Sequence, residues 1–94
     1  IMTQINAEYM KLLYQKGSSA YNQGSYKDAV AFYEKLLTID EKFQDGDAMY
    51  FLAQSYRKDG DKQKATLMYQ KVIATFPNTP KAKNAQSYIN EMNR

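Results

Sequence analysis

The sequence contains no cysteine and no histidine. Thiol nucleophiles, thiolate or imidazole metal sites, serine–histidine–aspartate triads and imidazole acid–base chemistry therefore lie outside what these residues can perform. Tryptophan is also absent, and there are only two prolines and four glycines in 94 residues, so most of the backbone is free to take regular structure. No apolar run approaches the ~18 residues of a membrane span, which argues against direct membrane insertion, and no leader-type apolar segment is present. Ile1 followed by Met2 reads as a trimmed start, so an upstream leader or anchor stays open. Nor is there a large excess of one charge: 13 basic and 10 acidic side chains leave +3, too mild and too interspersed to argue for nucleic acid. What stands out is tyrosine, nine of them beside four phenylalanines.

The chain repeats itself. A shift of 36 positions (50 − 14) pairs Tyr14 with Tyr50, Ser19 with Ser55, Gly24 with Gly60, Ala29 with Ala65, Tyr33 with Tyr69 and Lys35 with Lys71. Similar residues fill the gaps: Leu13 with Met49, Gly17 with Ala53, Phe32 with Met68, Leu36 with Val72 and Leu37 with Ile73. The shared order of small residue, turn glycine, alanine, aromatic and aliphatic pair describes two helices packed antiparallel around a short turn. Gly24 and Gly60 stand where a helix end turns left-handed, and Ser25 and Asp61 follow as N-caps. Asp45 and Asp47 read as the cap and first-turn charge of a third helix, and Thr79-Pro80 as the start of a last one. The pattern predicts five helices over 3–22, 26–39, 46–58, 62–75 and 80–92, with Ile5, Tyr9, Leu12 and Leu13 extending the first. Leu36, Leu37, Val72 and Ile73 are expected to be largely buried, and Ala82, Ala85, Ile89 and Met92 to form the docking face of the last helix.

These residues carry a family resemblance. Gly17…Gly24-Ser25-Tyr26…Ala29…Tyr33…Leu36 and Ala53…Tyr56…Gly60…Ala65…Tyr69…Val72…Pro77 resemble two tetratricopeptide repeats. Lys16, Lys62 and Glu41 depart from that pattern, as does a period of 36 in place of about 34. The resemblance implies an all-α fold: two helical hairpins plus a C-terminal capping helix in a short right-handed α-solenoid. Residues 1–94 then form one domain, with repeat 1 about 10–43, repeat 2 about 46–79 and the cap about 80–92. The stretch from Tyr69 to Gln86 is further similar to the end of bacterial envelope tetratricopeptide proteins, such as the Tol-Pal-associated periplasmic coordinator and the outer-membrane assembly lipoprotein. That likeness tilts the compartment toward the bacterial cell envelope over the cytoplasm.

Other constellations read more simply as structure. Asp40, Glu41, Asp45 and Asp47 lack the alternating oxygen ligands and closing glutamate of a calcium loop. Glu8, Asp28, Glu34 and Glu91 sit among polar positions and do not form the facing carboxylate pair of a glycosidase. The glycines are not clustered ahead of a helix as phosphate binding requires. Lys16, Tyr21, Arg57 and Lys58 mix bases with aromatics, but neighbouring acids make this a solvated surface, not a single-strand track. No enzyme, metal or cofactor is expected.

In the resembled family the first helix of each hairpin lines a concave groove. The matching positions here are Tyr14, Ser18 and Tyr21, then Tyr50, Gln54 and Arg57, with Asn84 and Tyr88 on the last helix. Tyr14 and Tyr50 could instead be core spacers; the groove is favoured because Leu13, Met49, Leu52 and Ala53 already fill core positions. The family's carboxylate clamp for chaperone C-termini uses lysine and asparagine where this sequence has Tyr14, Ser18, Tyr50 and Gln54, so that ligand is not expected. The expected role is a non-catalytic protein-interaction module that binds a peptide or partner helix, with Tyr50→Ala weakening the ligand and barely touching folding. The alternative is structural: a weakly self-associating domain, or the end of a larger envelope repeat protein.

Overall fold

The computed structural model describes Met2–Arg94, with side chains from Asn6 onward. Five helices follow one another: α1 (Met2–Asn22), α2 (Tyr26–Ile39), α3 (Asp47–Lys58), α4 (Lys62–Thr75) and α5 (Pro80–Met92). The expected share of Ile5 in the stripe of α1 lies outside the described side chains. Each helix packs on the next in the chain, α1 on α2, α2 on α3, α3 on α4 and α4 on α5, which makes a short helical-repeat solenoid. No strand occurs among the described residues.

The two hairpin turns are copies of each other. Ser25 N–H donates to the Ala20 carbonyl and Gly24 N–H to that of Tyr21; Asp61 and Gly60 donate in the same way to Tyr56 and Arg57. Gly24 and Gly60 take φ of +82° and +89°, the left-handed geometry in which a side chain would be strained. The caps differ. Asp61 accepts from Lys64 N–H and Thr79 from Ala82 N–H, whereas Ser25 occupies the cap position without a side-chain bond.

The start of α3 corrects the sequence reading. Gly46, at φ +99°, holds the cap position, and neither Asp45 nor Asp47 caps with its side chain. A short 3-10 turn, Phe43–Gly46, leads in, with Gln44 and Asp45 both left-handed. Gly46 has no room for a side chain, because a Cβ would lie 2.7 Å from the Phe76 ring. Asp47 instead pairs with Lys81 at 3.0 Å, tying the start of α3 to α5.

The matched positions form the core. Ala29, Leu36, Ala65, Val72 and Tyr69 are fully buried, as are Met49, Ala53 and Ala85. Leu37 and Ile73 are only half-buried, because each stands one residue round the helix from Leu36 or Val72, at the edge of the stripe. Gly17 is a packing glycine: a Cβ there would sit 2.8 Å from the Tyr33 ring. That contact lets α1 and α2 approach closely and sets their register.

Candidate functional site

Half-buried rings on α1, α3 and α5 are joined into one series of contacts through the buried Tyr33 of α2 and Tyr69 of α4. Tyr14 of α1 meets the Tyr33 ring at 6.0 Å and Phe43 at 5.5 Å. Tyr33 stacks on Phe51 at 6.3 Å, and Phe51 meets Tyr50 edge-on at 5.7 Å. Tyr50 meets Tyr69 at 6.2 Å, and Tyr69 stacks on Tyr88 at 5.5 Å. Tyr21 joins at Phe51, at 5.9 Å. The ladder thus runs from the 3-10 turn to α5 without a break. Such edge-on and offset pairs each add about 0.5–1.5 kcal/mol beyond burial, so the rings hold one another in place.

Tyr14, Ser18, Tyr21, Tyr50, Arg57 and Tyr88 are half-buried and Asn84 is exposed. Each half-buried ring therefore rests on the core and keeps one side in water. That geometry revises the idea that removing Tyr50 leaves folding untouched, since its ring covers Tyr69 and Phe51. Gln54 is different: only 8% of it is exposed, and its Oε1 accepts the Tyr69 hydroxyl proton. Its matched neighbour one repeat earlier, Ser18, shares a 3.0 Å hydrogen bond with the Tyr33 hydroxyl. The second-helix tyrosines thus reach through the hairpin to the same place on the first helix in both repeats. Sequence reasoning paired Tyr33 with Tyr69 as matched repeat aromatics but missed that their hydroxyls reach Ser18 and Gln54, and it missed Phe51 altogether. The signal was there: Ser18/Gln54 and Tyr33/Tyr69 share the 36-residue offset.

Arg57 is the fixed cation of the surface. Its guanidinium lies 4.3 Å from the Tyr88 ring centre, and its Nε–H donates to the Tyr69 hydroxyl at 3.2 Å. Burial is the first cause that raises the hydroxyl pKa of Tyr14, Tyr21 and Tyr50. It acts more strongly on Tyr33, pushed up to about 12 against the opposing hydrogen bond from Ser18. Tyr56 is also raised to about 12, by burial and then by its hydrogen bond to the Glu34 carboxylate. Tyr69 is raised by burial in spite of Arg57. The folded state thus holds these protons above the ordinary value of 10.0; for Tyr33 and Tyr56 the contribution to stability is complete below pH ~10 and is lost as pH climbs through ~12. Alkaline titration is expected to show tyrosinate absorbance from the buried rings rising together with loss of helical circular dichroism in that window. A smooth titration centred near 10 with helix retained above 12 would contradict it.

A depression lies elsewhere on the hairpins, lined by none of the ladder's rings. Ala31, Leu37, Leu52, Tyr56 and Met68 line a cleft of about 680 Å³ between α2 and α4, and the Lys71–Glu41 ion pair stands on its rim. No helix among the described residues is long and apolar enough to cross a membrane.

Comparison with known proteins agrees with this architecture. The sequence profile of the Tetratricopeptide repeat family matches residues 8–78. The chain is 33% identical over 70 residues to the Photosystem I assembly protein Ycf3 of Prochlorococcus marinus (strain NATL1A), covering 73% of this chain and 40% of that protein. It is 34% identical over 68 residues to the protein of the same name from Synechococcus sp. (strain CC9311), covering 71% and 39%. It is also 34% identical over 79 residues to the Putative outer membrane protein assembly factor BamD of Aquifex aeolicus, covering 81% and 26%. The chain thus spans about two fifths or less of the length of these relatives. No solved structure matches it. The matched repeat positions, the paired glycine turns and the profile match over most of its length agree: the chain belongs to the tetratricopeptide repeat family.

Proposed function

We propose that this chain is a non-catalytic protein–protein interaction module whose α1–α3–α5 face holds an extended peptide or a partner helix. The observation that carries this reading is the aromatic ladder, in which Tyr14 and Tyr50 hold matching places one repeat apart, each half-exposed and braced from beneath. Tyrosine gives large contact area at little entropic cost and keeps a hydrogen-bonding tip. Asn84, Ser18 and the tyrosine hydroxyls supply polar contacts for a peptide backbone. Two of the similar proteins are named for assembly, of photosystem I and of outer membrane proteins; by that likeness the partner here is a protein on its way into a larger complex.

The test uses a peptide selected on this chain from a random display library and measured by calorimetry. Tyr50→Ala is expected to weaken it by more than about 1 kcal/mol, roughly fivefold or more. The same change is expected to lower folding stability by about 1–2 kcal/mol, because the ring is only half-buried. Selected peptides that bind Tyr50→Ala and Tyr14→Ala as tightly as the parent chain would overturn the reading.

A structural role is the second reading, and one feature favours it. Tyr9 and Leu12 on α1 and Ile39 at the end of α2 are 41%, 46% and 39% exposed. Leu12 matches Ala48, which is fully buried against the preceding hairpin. An upstream helical hairpin, or a second copy, would cover this end. Sedimentation showing a monomer at every concentration counts against the second copy.

A further inference from the structure

Arg57 offers an anion site that nothing within the described chain uses. The ion pairs among the described residues join Lys27 to Asp59, Lys71 to Glu41 and Lys81 to Asp47; none involves Arg57. Its Nε is spent on Tyr69 and its face on Tyr88. This fixes the guanidinium plane and leaves both terminal nitrogens without a protein acceptor. Beside it opens a cleft of about 280 Å³, with Tyr88 and Met92 on the walls and Lys62 and Glu91 also lining it. Glu91 does not close an ion pair with Arg57. One turn back on α3, the Oε1 of Gln54 is engaged by Tyr69. Its amide nitrogen takes no partner among the described residues, and because none of their side-chain nitrogens or oxygens is both buried and unpaired, that donor meets solvent.

A planar, pre-oriented guanidinium is the group best matched to a carboxylate, which it can hold through two parallel hydrogen bonds. Its stem and face are already immobilised, so little side-chain entropy remains to be lost on binding. The guanidinium lies over the Tyr88 ring, and Tyr88 and Met92 wall the cleft beside it, which suits flat or apolar neighbours in a peptide. We propose that the groove selects segments in which an aspartate or glutamate side chain, flanked by aromatic or apolar residues, docks on Arg57. The inference rests on the groove reading above and names what that groove prefers. It differs from the family's C-terminal carboxylate clamp, whose places here are held by Tyr14, Ser18, Tyr50 and Gln54; the anchor is Arg57, and the recognised group is an internal side chain.

The experiment is a pair of selections from one random peptide display library whose members have blocked C-termini, on the parent chain and on Arg57→Gln. Peptides from the parent chain are expected to carry Asp or Glu at one recurring position, and those from Arg57→Gln to lose that preference while keeping aromatic residues. For a parent-selected peptide, replacing its acid by the amide is expected to weaken binding about tenfold or more. Arg57→Gln is expected to do the same, and the two changes together little more than either alone. Arg57→Lys, which keeps the charge without the fork, is expected to recover only part, and thermal melts establish that each variant folds. Binders that need Tyr50 yet show no acid preference, or that tolerate the acid-to-amide change, overturn this inference and leave the groove reading intact. A selection that yields no Tyr50-dependent binder overturns the groove reading and this inference with it.

Discussion

Replacing Tyr69 by alanine is expected to cost 3–5 kcal/mol of stability, the usual range for removing a buried aromatic side chain. Tyr69 is fully buried, and its ring stacks on Tyr88 and meets Tyr50 edge-on, so its loss opens a cavity between α3, α4 and α5. Domains of this size are stable by only about 5–15 kcal/mol, so such a loss removes a large share of the total and is expected to show as a sharply lowered denaturation midpoint. Tyr69→Phe separates the hydroxyl from the ring. It removes the acceptor of Arg57 Nε and the donor to Gln54 Oε1, leaving a largely buried amide oxygen unpaired, and is expected to cost about 1–3 kcal/mol. Denaturant melts of the two variants give both numbers. Equal losses for Phe and Ala would mean that the ring contributes nothing, and no loss for Phe would mean that the Gln54–Tyr69–Arg57 chain is not formed.

Gly17→Leu is the other large effect. A Cβ alone would stand 2.8 Å from Tyr33 Cε1 and 2.9 Å from Cζ. The Tyr33 ring is 1% exposed, stacked on Phe51 and bonded through its hydroxyl to Ser18, so it cannot swing aside. Three further carbons force α1 and α2 apart, at an expected cost of about 3 kcal/mol, the upper part of the range for overpacking. The gain from replacing a helical glycine, about 1 kcal/mol, offsets only part of such a strain. Because α1 carries Tyr14 and Tyr21, Gly17→Leu is also expected to break the ladder at its first rung. A melting temperature at or above that of the parent chain would show that the hairpin has slack the geometry does not suggest.

Most of the architecture was legible because three signals coincide at a fixed offset: the turn glycines, the Ala29/Ala65 pair and the aromatic and aliphatic positions that follow it. Helix bounds are the part of a sequence reading most prone to drift, yet here they fall within a residue of the expected ones, since Gly24, Gly60 and Pro80 punctuate sharply. The entry to α3 was misread. Asp47 does supply the first-turn charge, but the cap expected of Asp45 falls to Gly46, where Phe76, thirty residues away (76 − 46), fills the space a side chain would need. Local sequence carries no sign of that contact. The candidate surface was legible in its helix faces and illegible in its hydrogen bonds. Equivalence by offset places Gln54 beside Tyr50, but only the packing shows that Gln54 is committed to Tyr69 and that Arg57 is the group held open. Leu37 and Ile73 show the same limit: a stripe identifies the face of a helix, and the neighbouring helix decides how wide the buried part is.

The most direct measurement of the central claim is a titration of the amide-labelled chain with a library-selected peptide, followed by nuclear magnetic resonance. The account predicts that shift changes and intermolecular contacts concentrate on Tyr14, Tyr21, Tyr50, Arg57 and Tyr88, along the aromatic face of α1, α3 and α5. Changes confined instead to Ala31, Leu37, Met68 and Lys71, in the cleft between α2 and α4, would contradict it and place the binding surface elsewhere on the hairpins.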